Sequence, residues 1–150
     1  MNQDTVNEIN EALEKVIDAV AEKALSLLKR CIDETIYSPK RPKQYKRTYE
    51  FKDKAFEIKK DHMKKLMRQI IFNGSNLTYN PSEYQHGGKN VDRTSLMAYI
   101  LDSDTGANMD NSDWGGALNV YTNQSYWRVF IQRLDKELDT YIQDELNKYF

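Results

Sequence analysis

The sequence predicts an α+β fold in which long N-terminal and C-terminal amphipathic helices pack on a small, mostly antiparallel sheet, with a short middle helix. Three observations carry that expectation. Apolar residues recur at three- and four-residue steps from about residue 5 to 33, and again from about 125 to 148. Between these stretches the turn pair Asn73-Gly74 separates two short runs of strand-forming residues.

The first stripe comprises Val6, Ile9, Leu13, Val16, Ile17, Val20, Ala24, Leu27, Leu28, Cys31 and Ile32. Thr5 and Glu8 have capping-box spacing, so the helix is expected to start at Thr5. Ser38-Pro39 and Arg41-Pro42 end it, because the residue before proline is pushed out of the α region. Cys31, the one cysteine, cannot form an internal disulfide and falls on the stripe, where a small thiol packs as core.

A proline-broken basic turn over 37–48 follows, and the character of the chain changes there. From Lys40 to Arg68 twelve Lys and Arg stand against four acids, a balance of +8, which leaves −9 for the rest of a chain of net charge −1. In the mixed segment 49–80, Met63, Leu66, Met67, Ile70 and Ile71 also fit a helix face, but strands are expected at about 66–72 and 76–80, joined as a hairpin at Asn73-Gly74. Residues 80–90 read as a loop. Asp92 then caps a short helix over about 92–101 through Leu96, Met97, Ile100 and Leu101, and a polar loop spans 102–116. The final helix carries Trp127, Phe130, Ile131, Leu134, Leu138, Tyr141, Ile142 and Leu146, with Asn123 or Ser125 as its cap. Without repeats or low-complexity linkers, 1–150 is expected to be a single domain, which at this length buries roughly 70% of its unfolded surface.

The chemistry-bearing candidates fail one by one. Asp102, Asp104, Asn108, Asp110 and Asp113 can be laid on a calcium loop, but its turn glycine is replaced by Ala107, its fifth position by Gly106, and its bidentate Glu by the shorter Asp113. His62 and His86 are the only histidines, so no zinc set is at hand. No nucleophile elbow or phosphate-cradling glycine loop occurs, and any carboxylate pair would be an arbitrary choice. The expectation is therefore no catalysis, no cofactor and no metal. No run of about 20 apolar residues spans a membrane, and MNQDTVNEIN lacks signal-peptide character. A cytoplasmic setting is expected, in which the sequons at Asn73, Asn76 and Asn123 are idle.

What remains is the basic turn. Lys40, Arg41, Lys43, Lys46 and Arg47 interleave with Tyr45 and Tyr49, a chemistry that suits phosphate contact and base stacking. Against this stands a pI of about 6.1 and no recognised nucleic-acid-binding fold, so a solvated face or a protein interface is the preferred reading. A small nucleic-acid-binding or regulatory protein using 40–68 is the alternative.

The Tyr37-Ser38-Pro39 turn and Tyr45-x-Arg47-Thr48-x-x-Phe51 after a long helix resemble the head-tail connector and tail-completion proteins of tailed bacteriophages and prophages. The segments Tyr84-Gln85-His86-Gly87, VDRTSLMAYIL and SYWRVF, with Tyr126, Trp127 and Phe130, follow in the same order. Many members of that family have Gly after the Arg-Thr pair and a Ser a few residues later, a region where this chain has Tyr49 and the run Lys52-Asp53-Lys54-Ala55. The resemblance implies a non-enzymatic virion structural protein that joins the capsid portal region to the tail as a ring. Its partners would be copies of itself and neighbouring phage structural proteins, with no membrane. Its place would be the virion, and the host bacterial cytoplasm during assembly. Lys40, Arg41, Lys43, Tyr45, Arg47 and Thr48 are the candidate interaction or anchoring residues.

Overall fold

In a computed structural model of the chain, residues 2–38, 49–77 and 126–150 are described. The first helix, α1, spans Gln3–Ile32. Its N-cap is Asn2 and not the expected Thr5: the Asn2 Oδ1 accepts the Thr5 backbone N–H at 2.9 Å and the Thr5 hydroxyl at 3.2 Å. Asparagine caps at least as well as threonine, and a threonine at the third helical position can itself donate to the cap. At the other end the helix widens into a π-helical turn over Asp33–Tyr37. There the Thr35 hydroxyl donates to the Cys31 carbonyl at 2.7 Å, and the Ser38 N–H reaches back to the Asp33 carbonyl at 2.7 Å. Helical structure thus runs four residues past the expected end and stops just before Pro39.

Among the described residues a short helix, α2, spans Glu50–Lys54, within the stretch expected as a mixed segment. It leads directly into β1, Phe56–Lys60, which pairs antiparallel with β2, Arg68–Phe72, in register Phe56↔Phe72 through Lys60↔Arg68. The expected strand at 66–72 is therefore present over Arg68–Phe72, but its partner precedes it. Asn73-Gly74 is not the two-residue turn of a hairpin, and residues 78–80 of the strand expected at 76–80 lie outside the described residues. The Asn73 N–H continues the ladder to the Ala55 carbonyl at 2.7 Å, and Gly74–Asn76 form a 3₁₀ turn. The pattern FEIKK hid β1, because its outer half is lysine and only Phe56 is buried. The basic turn from Pro39 to Thr48, the loop at 80–90, the helix expected at 92–101, the polar loop 102–116 and the caps Asn123 and Ser125 lie outside the described residues.

The last helix, α3, spans Tyr126–Leu146 and lies antiparallel to α1. Two ion pairs fix the alignment, Arg133–Glu34 at 2.6 Å and Lys23–Glu145 at 2.8 Å. At about 1.5 Å per residue α1 is about 45 Å long and α3 about 31 Å. Since Glu145 is already level with Lys23, the first half of α1 runs on past the end of α3.

The core sits where the C-terminal half of α1 meets the other elements. Leu27, Leu28, Cys31 and Ile32 are essentially inaccessible, and they pack with Phe51, Ala55, Phe56, Tyr126 and Phe130. The rings interlock edge to face, with centroids 5.6 Å apart for Phe51–Phe56 and Phe51–Tyr126 and 5.7 Å for Phe56–Phe72. Cys31 is the buried core thiol its position on the stripe predicts, and burial pushes its pKa up. Toward the N-terminus the same stripe is only half-buried at Val6, Ile9 and Leu13. On α3, Trp127, Ile131 and Ile142 are exposed although they share the apolar periodicity. The apolar stripe of α3 is thus wider than the face that meets α1.

Leu28→Ala should cost about 2–5 kcal/mol, because Leu28 is fully buried in the core cluster and its loss leaves a cavity there. Urea denaturation monitored by circular dichroism would measure this as a lower midpoint at unchanged slope.

Candidate interaction site

The candidate residues Lys40, Arg41, Lys43, Tyr45, Arg47 and Thr48 all lie outside the described residues; the base from which their segment leaves and to which it returns is described. Tyr37 and Tyr49 close it, with ring centroids 4.8 Å apart and planes tilted by 37°. The Lys52 ammonium lies over both rings, 5.9 Å from Tyr37 and 5.1 Å from Tyr49, and binds the Asp33 carboxylate at 3.0 Å. That Asp33 bond raises the Lys52 pKa against the opposing effect of burial. On the other side Asp33 Oδ2 accepts the Ser38 hydroxyl at 3.1 Å. The two ends of the basic turn are thereby tied together through one carboxylate, one ammonium and two rings.

Tyr49 takes part at a conformational cost. Its φ of 60° and ψ of 8° put it in the left-handed region, the one non-glycine position there among the described residues. For a residue with a Cβ this costs roughly 1–2 kcal/mol. The Tyr37 ring and the Lys52 ammonium hold it in place.

A second cluster fixes the far end of the hairpin. Lys60 and Arg68 are directly opposite on the last rung, an arrangement that would repel. Asp18 of α1 lies between them, with Oδ1 accepting from Arg68 Nε at 2.5 Å and Oδ2 from Lys60 Nζ at 2.7 Å. The Arg68 guanidinium, and after it the Lys60 ammonium, holds the Asp18 carboxyl below the usual range although burial opposes this. Arg68 also donates to the carbonyls of Lys65 at 2.6 Å and Met67 at 2.9 Å. Asp61 completes the turn by accepting the N–H groups of Met63 at 2.8 Å and Lys64 at 3.1 Å. The turn over 61–67 is thus built from both sides, and with Asn7, Asn10, Glu11 and Glu14 of α1 it walls a groove of about 690 Å³.

One further base of the +8 stretch is matched, Lys54 by Glu50 at 2.8 Å, and from α1 Lys29 reaches the Asp53 carbonyl at 3.4 Å. Asn73 and Asn76, two of the sequon asparagines, spend their amide N–H groups on Glu57 and on the Lys54 carbonyl at 3.0 to 3.3 Å. Both side chains tie the 3₁₀ turn to β1.

Neither Tyr37 nor Asp18 stands out by residue type, yet each leaves a signal. Tyr37 and Tyr49 bracket the basic run. Glu14, Asp18 and Glu22 repeat at four-residue steps, a like-charge row that calls for cations from elsewhere in the chain. Among the described residues no helix is long and apolar enough to cross a membrane, and no three His, Cys, Asp or Glu side chains converge as a metal set. His62 is exposed on the hairpin turn. No family profile, curated protein or solved structure matches this chain.

Two consequences are measurable. Asp18→Asn leaves Lys60 and Arg68 facing each other, and because Asp18 is about a third exposed the loss should be about 1 kcal/mol at neutral pH. A depressed folded-state pKa means that the unfolded chain takes up the proton first as pH falls, so the Asp18 contribution is present at neutral pH and fades below about pH 4. The stability gap between wild type and Asp18→Asn should close there in a pH series of urea melts.

At the base of the basic turn, Tyr49→Ala removes the ring and keeps the Cβ, whereas Tyr49→Gly also relieves the left-handed backbone. Glycine should therefore be the more stable of the two variants by about 1 kcal/mol, the reverse of their order at an ordinary helix position. Thermal melts of the two variants decide it.

Proposed function

We propose that this chain is a non-enzymatic structural protein of the neck of a tailed bacteriophage or prophage, joining the capsid portal region and the tail by ring-forming self-association. It works in the virion, is assembled in the host bacterial cytoplasm, and has copies of itself and neighbouring structural proteins as partners. Tyr49 carries the reading. In the resembled family the residue after the Arg-Thr pair is often Gly, and here that position has φ 60°, the conformation glycine adopts without penalty. A backbone turn typical of the family would thus be kept although its usual residue is not.

Packing supports the same reading. Phe51 closes the Tyr-x-Arg-Thr-x-x-Phe motif and Tyr126 is the first aromatic of SYWRVF, and their rings meet edge to face in one core. Segments that share only their order in the sequence are in contact in the fold. The competing reading, nucleic-acid binding through 40–68, is weakened by the pairing of Lys52, Lys54, Lys60 and Arg68 with carboxylates of the same chain, and by Glu11 and Glu14 beside Lys64 and Lys65.

Light scattering combined with negative-stain microscopy of the purified chain should show closed rings of uniform diameter. Arg47→Ala, which removes a proposed anchor of the basic turn, should lower both the thermal midpoint and the yield of rings. A chain that stays monomeric and instead binds duplex or single-stranded DNA, with affinity falling steeply as salt is added, would refute the neck assignment.

A further inference from the structure

Two exposed apolar patches differ in sign of charge. The first is the β1–β2 turn, where Met63 is 94% and Leu66 46% exposed, beside exposed Lys64 and Lys65. Met63 is held outward by design of the turn, since Asp61 fixes its backbone N–H and Arg68 fixes the carbonyls of Lys65 and Met67. The second patch is the outward stripe of α3. Ile131 and Ile142 are exposed with Leu138 half-buried between them, and Asp135 and Asp139 stand one helical turn away from these residues. Two positive charges lie near it: Arg128, three residues before Ile131 at its N-terminal end, and the exposed Lys136 on its flank, three residues before Asp139.

We propose that the β1–β2 turn of one copy docks on the outward stripe of α3 in a second copy. Met63 and Leu66 seat against Ile131, Leu138 and Ile142, while Lys64 and Lys65 face Asp135 and Asp139. The contact rests on the self-association proposed above and names its two surfaces. Charge selects the occupant: turn against turn would set lysine on lysine, and stripe against stripe aspartate on aspartate. Only the unlike pairing is attractive. Geometry excludes satisfaction within one chain, because the turn lies beside Asn7 to Glu14 whereas α3 lies along the other half of α1. Unlike surfaces that meet in this way form a heterologous contact, which closes into a ring or propagates as a filament. An anionic lipid surface fits the turn less well, since Glu11 and Glu14 line the groove beneath it and Asp4 and Glu8 are exposed on the same helix.

A seven-residue turn covers much less than the roughly 1,200 Å² of a stable interface. Each contact is therefore weak alone, concentration-dependent and sensitive to salt.

Charge reversal on the full chain tests the pairing, read by light scattering over series of concentration and salt. All four positions are exposed, so circular dichroism and thermal midpoints should stay those of wild type. Lys64→Glu/Lys65→Glu and Asp135→Lys/Asp139→Lys should each weaken self-association about tenfold or more. The quadruple variant, with acidic turn and basic stripe, should regain it, as should an equimolar mixture of the two double variants. Met63→Asp should weaken association in every charge background. Assembly that ignores all the reversals would overturn this contact and leave the neck assignment standing. A protein monomeric throughout the series would overturn the contact as well, while the neck assignment falls only to the DNA-binding result. Binding of wild type to phosphatidylserine vesicles that is lost in Lys64→Glu/Lys65→Glu, without self-association, would overturn it in favour of a membrane.

Discussion

The described structure depends on one encounter, that of Leu27, Leu28, Cys31 and Ile32 at the end of α1 with the rings of Phe51, Phe56, Tyr126 and Phe130. Every other described element reaches this cluster: α2 through Phe51, β1 through Phe56, β2 through Phe72 and α3 through Tyr126. A two-stranded sheet is marginal by itself, and its permanence comes from being packed against a helix. Bulky rings suit this task because each spans the gap between elements and prefers an edge-to-face neighbour, which fixes angle as well as distance. At the end of α1 the buried Thr35 hydroxyl is turned back on the Cys31 carbonyl, so it brings no unpaired polar group to the edge of the cluster.

Away from that cluster, order is maintained by charge. The hairpin extends along α1 beyond the core, and its last rung would open if Lys60 and Arg68 had only each other. Asp18 closes it, and Arg68, whose side chain is 5% exposed, passes the constraint on to the turn carbonyls. A buried guanidinium with three acceptors is well satisfied; with none it would be a liability. The position of the turn thus depends on a carboxylate about 50 residues away in sequence.

How much of this was legible depended on whether the signal was periodic or relational. The two long helices were, because burial against a neighbour imposes a 3.6-residue repeat on the apolar residues of each. The strand at Arg68–Phe72 was readable from its run of Ile70, Ile71 and Phe72. β1 was not, since a two-stranded ribbon buries little of its outer half and the alternation in FEIKK ends after Phe56 and Ile58, too short a run to mark a strand. The hairpin was assigned to Asn73-Gly74 because that pair is the strongest local turn signal, and a tertiary preference overrode it: Asn73 and Asn76 bind Glu57 and Lys54, which makes a 3₁₀ turn of the pair. The Tyr37–Tyr49–Lys52–Asp33 base and the Asp18 bridge were illegible for another reason. Each joins residues that are ordinary where they stand, and only the fold makes them neighbours.

That distinction also bears on what the excess of positive charge can do. Counted along the chain, Lys40 to Arg68 is a single basic block. In the fold its described part divides in two. Lys52, Lys54, Lys60 and Arg68 are spent on carboxylates of the same molecule, while Lys59 stands exposed on β1 and Lys64 and Lys65 beside Met63 and Leu66. A binder of phosphate backbone needs many accessible cations along one track, since each releases a counterion. Two lysines at an apolar tip, bordered by Glu11 and Glu14, make a poor track. They make a better plug, in which the lysines orient the approach and the apolar tip supplies the contact, and what they suit is an acidic apolar surface such as the outer face of α3.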